Sequence, residues 1–492
     1  MNALIDPIAT HARARAGLTA LVDLASGRRW NWAELDRMVN RTAHWLAARL
    51  GEKSGARVAT CAKNADWMLV LQFACARAGA IFVPLNWRLA EDELRILAAD
   101  AGSAILFHDA EFALPLAAEC HLIDDLPQLV ADQPDTPVPV TARQHWQEPT
   151  TLLYTSGTSG RPKGVMISEA NAFFGSGNFI NGNAVSCDSV FLCDMPLFHT
   201  AGLFGASRSP IQAGATLLVS KGFDPALTLA RLADPKLGIT HYFSVPQMAQ
   251  MLWNQPDFDP AMLRGLQVYA TGGAPNPKAQ IERFVGAGIP MSDGFGMSET
   301  CSNFAMPVHD AALMVEKAGS IGLPMLSVEM RIVGDDGVDA GPGEPGELWL
   351  RGPSITKGYW NQAELTAKAF DGEWFKTGDI AICDADGFTF IVDRKKDMYI
   401  SGGENVYPAE VEAVIAELTD VAESAVIGVA DERWGEVGRA YVIPVAGRIV
   451  TAEAVIDHCR ARLAGFKVPK LVLVTETIPR TASGKVQKHL LS

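Results

Sequence analysis

The chain has 492 residues, of which 48% are hydrophobic and 20% charged, a composition typical of a globular protein with more than one core. The formal net charge of −14 argues against a nucleic-acid-binding surface but is compatible with a local basic pocket. No apolar run is long enough to span a membrane, and Asp6 and Pro7 stand where an export signal needs apolar residues. The eight cysteines lack zinc-site spacing, so we expect reduced thiols in a cytoplasmic protein.

The first part of the chain alternates helical and strand-like patterns. Residues 32–50 have the periodicity of an amphipathic helix, with Leu35, Met38, Val39, Thr42, Trp45, Leu46 and Leu50 on one face. Short apolar runs of strand length then recur, separated by helix-length segments: AIFVPL, AILFHD, SVFLCDMP, ATLLVS, ITHYFSVP and LQVYATGG. This alternation predicts an α/β protein with largely buried sheets.

The pattern changes twice towards the C-terminus. Residues 328–352 are rich in Gly, Pro and Asp between β-like runs, which predicts hairpins and a small β-barrel-like subdomain. Beyond a charged stretch at 394–397, a helix beginning at Pro408, two strands, a helix near 451–464 and a last strand indicate a small α/β domain. We therefore predict a large N-terminal domain of αβ layers, residues 1–395, and a small mobile C-terminal domain, residues 396–492.

Residues 154–165, YTSGTSGRPKGV, form a stretch with no evident packing role. Backbone N–H groups and hydroxyls of a Gly/Ser/Thr loop, with a lysine nearby, suit phosphate oxygens. A Walker A loop needs Gly-Lys followed by Ser or Thr, whereas Lys163 lies between Pro162 and Gly164. A flexible linker is disfavoured because the strand-like run TTLLY leads directly into the loop.

Seven motifs in order give the chain a resemblance to a known family. They are LLYTSGTSGRPKG (152–164), PLFHTAG (196–202), ATGGAP (270–275), DGFGMSET (293–300), FKTGD (375–379), DRKKDMYISGGENVYPAEVE (393–412) and PRTASGK (479–485). The sequence resembles the adenylate-forming enzymes, the superfamily of acyl-CoA synthetases, adenylation domains and luciferases. Within it the chain is most similar to fatty-acyl-CoA and 4-coumarate or feruloyl-CoA ligases.

The resemblance implies an acid–thiol ligase that uses ATP, Mg²⁺ and coenzyme A. A carboxylate attacks the α-phosphate of ATP and releases pyrophosphate, and a thiol then displaces AMP from the acyl-adenylate. The first step brings an anion against a polyanion and needs charge neutralisation more than acid–base chemistry. The catalytic residues implied are Lys485, Glu299, His199 and Ser298, with Glu299 and Thr158 at the metal.

The resemblance also implies where the nucleotide and coenzyme A bind. The phosphates, adenine, ribose and pantetheine arm would be bound by Thr155, Ser156, Gly157, Thr158, Gly160, Lys163, Gly273, Ala274, Pro275, Asp293, Phe295, Asp379, Arg394, Gly402 and Gly403. The small domain would rotate about Lys396 between the half-reactions, withdrawing Lys485 and bringing residues 402–405 to the active site. His199 would lie at the thiol entrance as a gate or polar orienter, and a buried structural histidine is the alternative.

The identity of the acid is the open part of the prediction. An apolar pocket is implied by Ala201, Gly202, Phe204, Tyr269, Ala270, Met297, Phe304 and Met306. Fatty acids and aryl acids such as cinnamates both fit, whereas an α-amino acid is disfavoured because FHTAGLFGAS lacks an acidic partner for the amine. Arg208 is the nearby charge, and it either pairs the second carboxylate of a diacid or is an exposed or helix-terminal arginine.

The acceptor and partners complete the prediction. The chain ends seven residues after Lys485, at Ser492, so we expect free coenzyme A as acceptor, with a non-CoA acceptor as the alternative. The partners expected are a small carboxylic acid and a lysine acetyltransferase acting on Lys485; a homodimer is left open. A non-catalytic nucleotide-binding protein would lack Glu299 or Lys485, and a P-loop ATPase needs the absent Walker residue.

Overall fold

A computed structural model describes residues 6–51, 55–113, 117, 119–138, 146–155, 163–274, 276–394, 397–401, 404–431, 434–463, 465–480 and 486–491. The chain divides into two compact units, one of Met1–Glu329 with Arg351–Phe375 and one of Met330–Leu350 with Lys376–Ser492. Each of the three points at which the chain passes from one unit to the other lies inside a β-strand. The boundary predicted at 395/396 lies outside the described residues.

The larger unit contains α1 to α12. They are α1 (Pro7–Ala14), α2 (Trp32–Leu50), α3 (Asp66–Ala78), α4 (Glu91–Ala101), α5 (Leu126–Leu129), α6 (Glu169–Gly182), α7 (Ser209–Ala213), α8 (Pro225–Ala233), α9 (Pro246–Trp253), α10 (Lys278–Gly286), α11 (Ala311–Glu316) and α12 (Ala363–Ala369). A π-helix, Ala201–Arg208, runs directly into α7. Short 3₁₀ turns cover Ala110–Phe112, Ile123–Asp125 and Pro260–Met262.

Two sheets pack with these helices. Their strands are β1 (Thr19–Asp23), β2 (Arg29–Asn31), β3 (Arg57–Cys61), β4 (Ile81–Pro84), β5 (Ser103–His108), β6 (Glu119–Leu122), β7 (Pro149–Thr155), β8 (Lys163–Ser168), β9 (Val190–Cys193), β10 (Thr216–Val219), β11 (His241–Ser244), β12 (Val268–Gly272), β13 (Met291–Met297), β14 (Cys301–Ala305) and β15 (Leu323–Pro324). One sheet has the order β15-β14-β13-β12-β11-β9-β10-β1-β2 and the other β6-β5-β3-β4-β7-β8. Central pairs such as β11 with β12 and β3 with β4 are parallel, which confirms the α/β prediction.

Buried apolar faces account for this layering. Helix α2 covers the range predicted from its periodicity; its predicted face is buried except for the partly buried Met38. It begins with a capping box in which Asn31 and Glu34 exchange hydrogen bonds. Strands such as β4 and β12 are buried at every position, as expected for sheets covered on both faces.

The smaller unit holds two further sheets. Their elements are β16 (Glu329–Val333), β17 (Gly346–Arg351), β19 (Trp374–Cys383), β20 (Thr389–Arg394), β21 (Tyr399–Ser401), β22 (Glu404–Val406), α13 (Pro408–Ile415), β23 (Val421–Asp431), β24 (Gly435–Pro444), α14 (Ala452–Arg460), β25 (Leu471–Val474) and a 3₁₀ turn, Lys488–Leu490. Strands β16, β17, β19 and β20 form one sheet, and β22-β21-β24-β23 form the other, with β25 parallel to β24. Strand β18 (Phe370–Asp371) pairs with the start of β19. Helices α13 and α14 pack on the second sheet around Val411, Val426 and Val455, as predicted for a small α/β domain.

Candidate active site

The phosphate-loop motif lies at the end of a strand pair. Strands β7 and β8 are antiparallel, and Thr155 is the register partner of Lys163. The pairing therefore fixes both ends of the loop, whose residues Ser156, Gly157, Thr158 and Gly160 lie outside the described residues. A Cβ on Gly164 would come within 3.2 Å of Tyr154 and of Trp360, so a larger residue here would require these side chains to shift by a few tenths of an ångström.

Ser298, Glu299 and Thr300, the last three residues of the DGFGMSET motif, form the tight connection between β13 and β14. A Cβ on Gly296 would lie 2.1 Å from the carbonyl oxygen of Cys301, so only glycine fits. Cys301 itself has a φ of +55°, an unusual conformation for a residue with a side chain. These constraints hold the turn in one shape and leave the side chains of Ser298 and Glu299 partly exposed.

Two partners orient the side chains of that turn. The Tyr359 hydroxyl donates to Glu299 Oε1 at 3.0 Å, and the Thr200 hydroxyl donates to Ser298 Oγ at 3.1 Å. Burial and the neighbouring Glu299 carboxylate raise the pKa of Tyr359 above its ordinary value, so the hydroxyl keeps its proton. Sequence reasoning missed both partners, since each lies 60 or more residues from its contact and carries no local signal.

The PLFHTAG motif wraps tightly before it enters the π-helix. A Cβ on Gly202 would lie 2.1 Å from the Pro196 carbonyl oxygen. The backbone N–H of Leu203 donates to the His199 carbonyl at 2.8 Å, and the His199 ring lies 4.6 Å from that of Phe198. The structure thus brings His199, through its neighbour Thr200, next to the Ser298 turn.

The predicted adenine-side residues lie at the ends of β12 and β13. Gly273 follows β12 with a φ of +81°, and Ala274 comes next, whereas Pro275 lies outside the described residues. Asp293 in β13 is buried and accepts a hydrogen bond from the Thr271 hydroxyl at 3.0 Å. Burial raises the pKa of Asp293 to about 8, although the Thr271 hydroxyl and the Gly294 N–H oppose the rise. The protonated form therefore predominates at neutral pH.

The apolar residues predicted for the acid pocket divide between two faces of the sheet. Phe204 of the π-helix and Ala270 of β12 belong to one buried cluster. Phe295 and Phe304 are register partners in β13 and β14, with ring centroids 5.9 Å apart. The remaining predicted residues adjoin these: Ala201 and Gly202 in the π-helix, Met297 at the end of β13 and Met306 just after β14.

Tyr269 is not brought together with Phe204 and Ala270. It precedes Ala270 in β12 and packs in a different buried cluster, against Tyr242 and Phe284. Its hydroxyl lies 3.0 Å from Ser244 Oγ. Because successive side chains of a strand point to opposite faces, Tyr269 and Ala270 cannot line one pocket on one face.

Arg208 is helix-terminal, as one alternative predicted, and it is buried. Its side chain and that of Glu169 are 1% and 5% exposed and form an ion pair, with Nη1 3.5 Å from Oε1. The Thr150 hydroxyl also donates to Glu169 Oε1, at 2.9 Å, and the guanidinium lies 5.0 Å from the Phe73 ring centroid. The charge of Arg208 is therefore already neutralised inside the protein.

The two residues predicted to bind the ribose lie opposite each other in neighbouring strands of the smaller unit. Asp379 in β19 is the register partner of Arg394 in β20. Asp379 is buried, and its N–H donates to the Thr377 hydroxyl at 3.0 Å. The positions of the hinge, the pantetheine turn and the adenylation lysine, Lys396, Gly402, Gly403 and Lys485, lie outside the described residues.

Comparisons with known proteins agree with the motifs. Residues 8–360 match the AMP-binding enzyme family, and residues 410–485 match the AMP-binding enzyme C-terminal domain. Feruloyl-CoA synthase of an Amycolatopsis species is 38% identical over 488 residues, covering 97% of this chain and 96% of that protein. Indoleacetate–CoA ligase of Aromatoleum aromaticum is 37% identical over 492 residues, covering 97% and 95%.

The fold also matches solved structures. The o-succinylbenzoate CoA synthetase of Bacillus subtilis, in complex with the acyl-adenylate intermediate OSB-AMP, superposes with a TM-score of 0.89 at 30% identity, covering 100% of this chain and 99% of that one. Within the described residues, no helix combines the length and hydrophobicity that a bilayer crossing demands. The chain belongs to the AMP-binding enzyme family and is an AMP-forming acid–CoA ligase that uses ATP and Mg²⁺.

Proposed function

We propose that the protein activates a monocarboxylic acid with an apolar tail, of the aryl or fatty class, and transfers it to coenzyme A. The observation that carries this choice is the ion pair between Arg208 and Glu169. The segments that contain the residues predicted to line the acid pocket are 199–207, 268–274, 294–297 and 303–308, and they contain no Asp, Glu, Lys or Arg. A diacid would have to displace a buried carboxylate from Arg208, which is costly because Glu169 would be left unpaired.

The relatives support an aryl acid more specifically. The two curated relatives described above are named for feruloyl-CoA and for indoleacetate, whose acids both carry an aromatic ring. Phe295, which is partly exposed and packs edge to face on the buried Phe304, would offer a planar ring a surface against which to pack. A fatty acid is the second candidate, because the same apolar side chains would accept an alkyl chain.

The site residues suggest how the first half-reaction proceeds. The paired ends of the phosphate loop would place Thr155 and Lys163 at the β- and γ-phosphates, where a lysine offsets charge. Glu299 would hold Mg²⁺, since a carboxylate oxygen is the ligand that this hard cation prefers. Ser298, oriented by Thr200, would donate to the α-phosphate. Lys485 would bridge the carboxylate and the α-phosphate, as the family resemblance implies.

The second half-reaction would use further residues, while the contacts to the ribose would persist through both half-reactions. In our proposal Lys396 serves as the hinge between domains 1–395 and 396–492, and Gly402 and Gly403 allow the pantetheine arm to approach the backbone. Asp379 and Arg394 would hold the ribose; their opposite positions in β19 and β20 support this assignment. His199 would orient the incoming thiol, and its position beside Thr200 supports that role.

A mass-spectrometric screen tests the proposed substrate class. The purified protein is incubated with ATP, Mg²⁺, coenzyme A and a panel of aryl, fatty, dicarboxylic and amino acids. We expect AMP together with the thioester of an aryl or fatty acid. Preferential turnover of a diacid would refute the substrate class, acyl-adenylate without thioester would indicate a non-CoA acceptor, and ADP formation would contradict the reaction itself.

Regulation and location form a separate proposal. We infer a cytoplasmic enzyme whose Lys485 is a target for a lysine acetyltransferase, because acetylation removes the charge that adenylation needs. Acetylated protein should lose acid-dependent pyrophosphate exchange and retain thioester formation from pre-formed acyl-adenylate; equal loss of both would refute this. A homodimer is also proposed, and light scattering of the purified chain at micromolar concentration tests it directly.

A further inference from the structure

Residues Thr356–Trp360, here called the bridging segment, contact two parts of the predicted site. One is the hairpin of β7 and β8, here called the phosphate hairpin, and the other is the connection between β13 and β14, here called the Glu299 turn. The Trp360 N–H donates to the Gly164 carbonyl at 2.7 Å, and the Met166 N–H donates to the Gly358 carbonyl at 3.1 Å. On the other side, the Thr356 N–H donates to the backbone carbonyl of Glu299 at 2.7 Å. The bridging segment therefore fixes β8 and the Glu299 turn to each other through backbone hydrogen bonds.

Tyr359, near the end of this segment, contacts a charged side chain on each side. Its hydroxyl donates to Glu299 Oε1 at 3.0 Å. The Lys163 ammonium lies 5.5 Å from the centroid of its ring, within the range of a cation–π contact. The side chain is 6% exposed, so its own orientation is set by packing and not by solvent.

This geometry restricts both charged groups. A carboxylate with one oxygen bonded to a fixed hydroxyl cannot rotate freely, so the other oxygen, Oε2, is presented in one orientation. A lysine has a long, flexible side chain with substantial rotamer entropy. An aromatic face beside its ammonium group favours the subset of rotamers that Lys163 needs to face the phosphate loop.

We propose that Tyr359 is a positioning residue for Mg²⁺-ATP. Its hydroxyl holds Glu299 in the orientation that binds the metal, and its ring holds Lys163 towards the phosphates. The inference rests on the proposed function, in which Glu299 binds Mg²⁺ and Lys163 binds phosphate. It extends that function by naming the side chain that orients both the metal ligand, Glu299, and the phosphate-binding lysine, Lys163.

The test has two readouts on the full-length protein, both measured against Mg²⁺ concentration: binding of ATP by isothermal titration calorimetry, and acid-dependent ATP–pyrophosphate exchange. Tyr359→Phe removes only the hydroxyl, and we expect the Mg²⁺ midpoint to rise about tenfold, the effect of a lost hydrogen bond to a charged group. Tyr359→Leu also removes the ring, and the KM for ATP should then rise even at saturating Mg²⁺. Tyr242→Phe is the matched control: its buried hydroxyl also donates to a carboxylate, Asp194 Oδ2 at 3.4 Å, but neither residue belongs to the predicted site.

The outcomes distinguish failure of the positioning role of Tyr359 from failure of the proposed function. An unchanged Mg²⁺ midpoint in Tyr359→Phe, or an equal shift in Tyr242→Phe, overturns the positioning role. A merely structural role would slow pyrophosphate exchange and thioester formation from pre-formed acyl-adenylate in the same proportion without moving the midpoint, and that result also overturns it. Failure of the proposed function itself would be seen in the wild-type protein, as the absence of any acid-dependent exchange.

Discussion

Replacing Arg208 with methionine should destabilise the protein through the carboxylate it leaves behind. Arg208 and Glu169 are almost fully buried, and without the guanidinium Glu169 would keep the neutral Thr150 hydroxyl as its bonding partner. Removing one member of a buried ion pair costs about 3–5 kcal/mol. The lost contact with the Phe73 ring adds about 1 kcal/mol.

The double variant Arg208→Met with Glu169→Gln distinguishes this explanation from simple loss of packing. A neutral glutamine removes the unpaired charge, so the double variant should be more stable than Arg208→Met alone. Urea unfolding followed by tryptophan fluorescence measures both, because Trp32 and Trp67 lie in the core of the larger unit. If the two changes were additive, with no recovery in the double variant, the charge argument would be refuted. The ratio of monoacid to diacid turnover should be the same in any variant that folds.

Three further predictions concern the site and its surroundings. Gly202→Ala should reduce adenylation at least tenfold, because its Cβ would collide with the Pro196 carbonyl; Gly177→Ala, whose Cβ would meet nothing closer than 3.9 Å, is the control and should keep wild-type rates. Asp293→Asn should gain stability relative to wild type as the pH rises from 4 to 8, by a few kcal/mol, since each pKa unit is worth about 1.4 kcal/mol. The pKa of Asp293 in the folded wild type is raised to about 8, so as the pH rises the carboxyl ionises first in the unfolded chain and the wild type loses stability. Thermal unfolding across this pH range measures the difference between the two proteins, and parallel stability curves would contradict the prediction. Chelation of Mg²⁺ with EDTA should abolish acid-dependent AMP formation, and re-added Mg²⁺ should restore it; activity that persists in EDTA would argue against a metal at Glu299.

Local sequence patterns were sufficient to predict most helices and strands of the fold. Helix α2 has the predicted bounds because its periodicity is regular and its ends carry a cap and a glycine. The strand-length runs became buried strands, and the ordered motifs identified the family and its reaction. These features depend on residues close together in the sequence, which is why sequence alone can reveal them.

Contacts between distant segments could not be predicted in the same way. Tyr359 meets Glu299 across 60 positions, and nothing around either residue indicates the other. The alternatives for Arg208 did not include a buried ion pair, because charged residues are seldom buried and its partner Glu169 is 39 positions away. The family resemblance implies both Tyr269 and Ala270 in the pocket; because β12 is buried on both faces, the sequence lacks the polar alternation that shows which side chains share a face.

That last feature of β12 has a consequence for engineering the enzyme. Ala270 belongs to the cluster that includes Phe204, whereas Tyr269 belongs to the separate cluster formed with Tyr242 and Phe284. In the acid pocket proposed above, variation at position 270 would change acid selectivity, whereas variation at position 269 would act on the packing against Tyr242 and Phe284. If that proposal holds, one strand offers two adjacent positions, one for selectivity and one for stability.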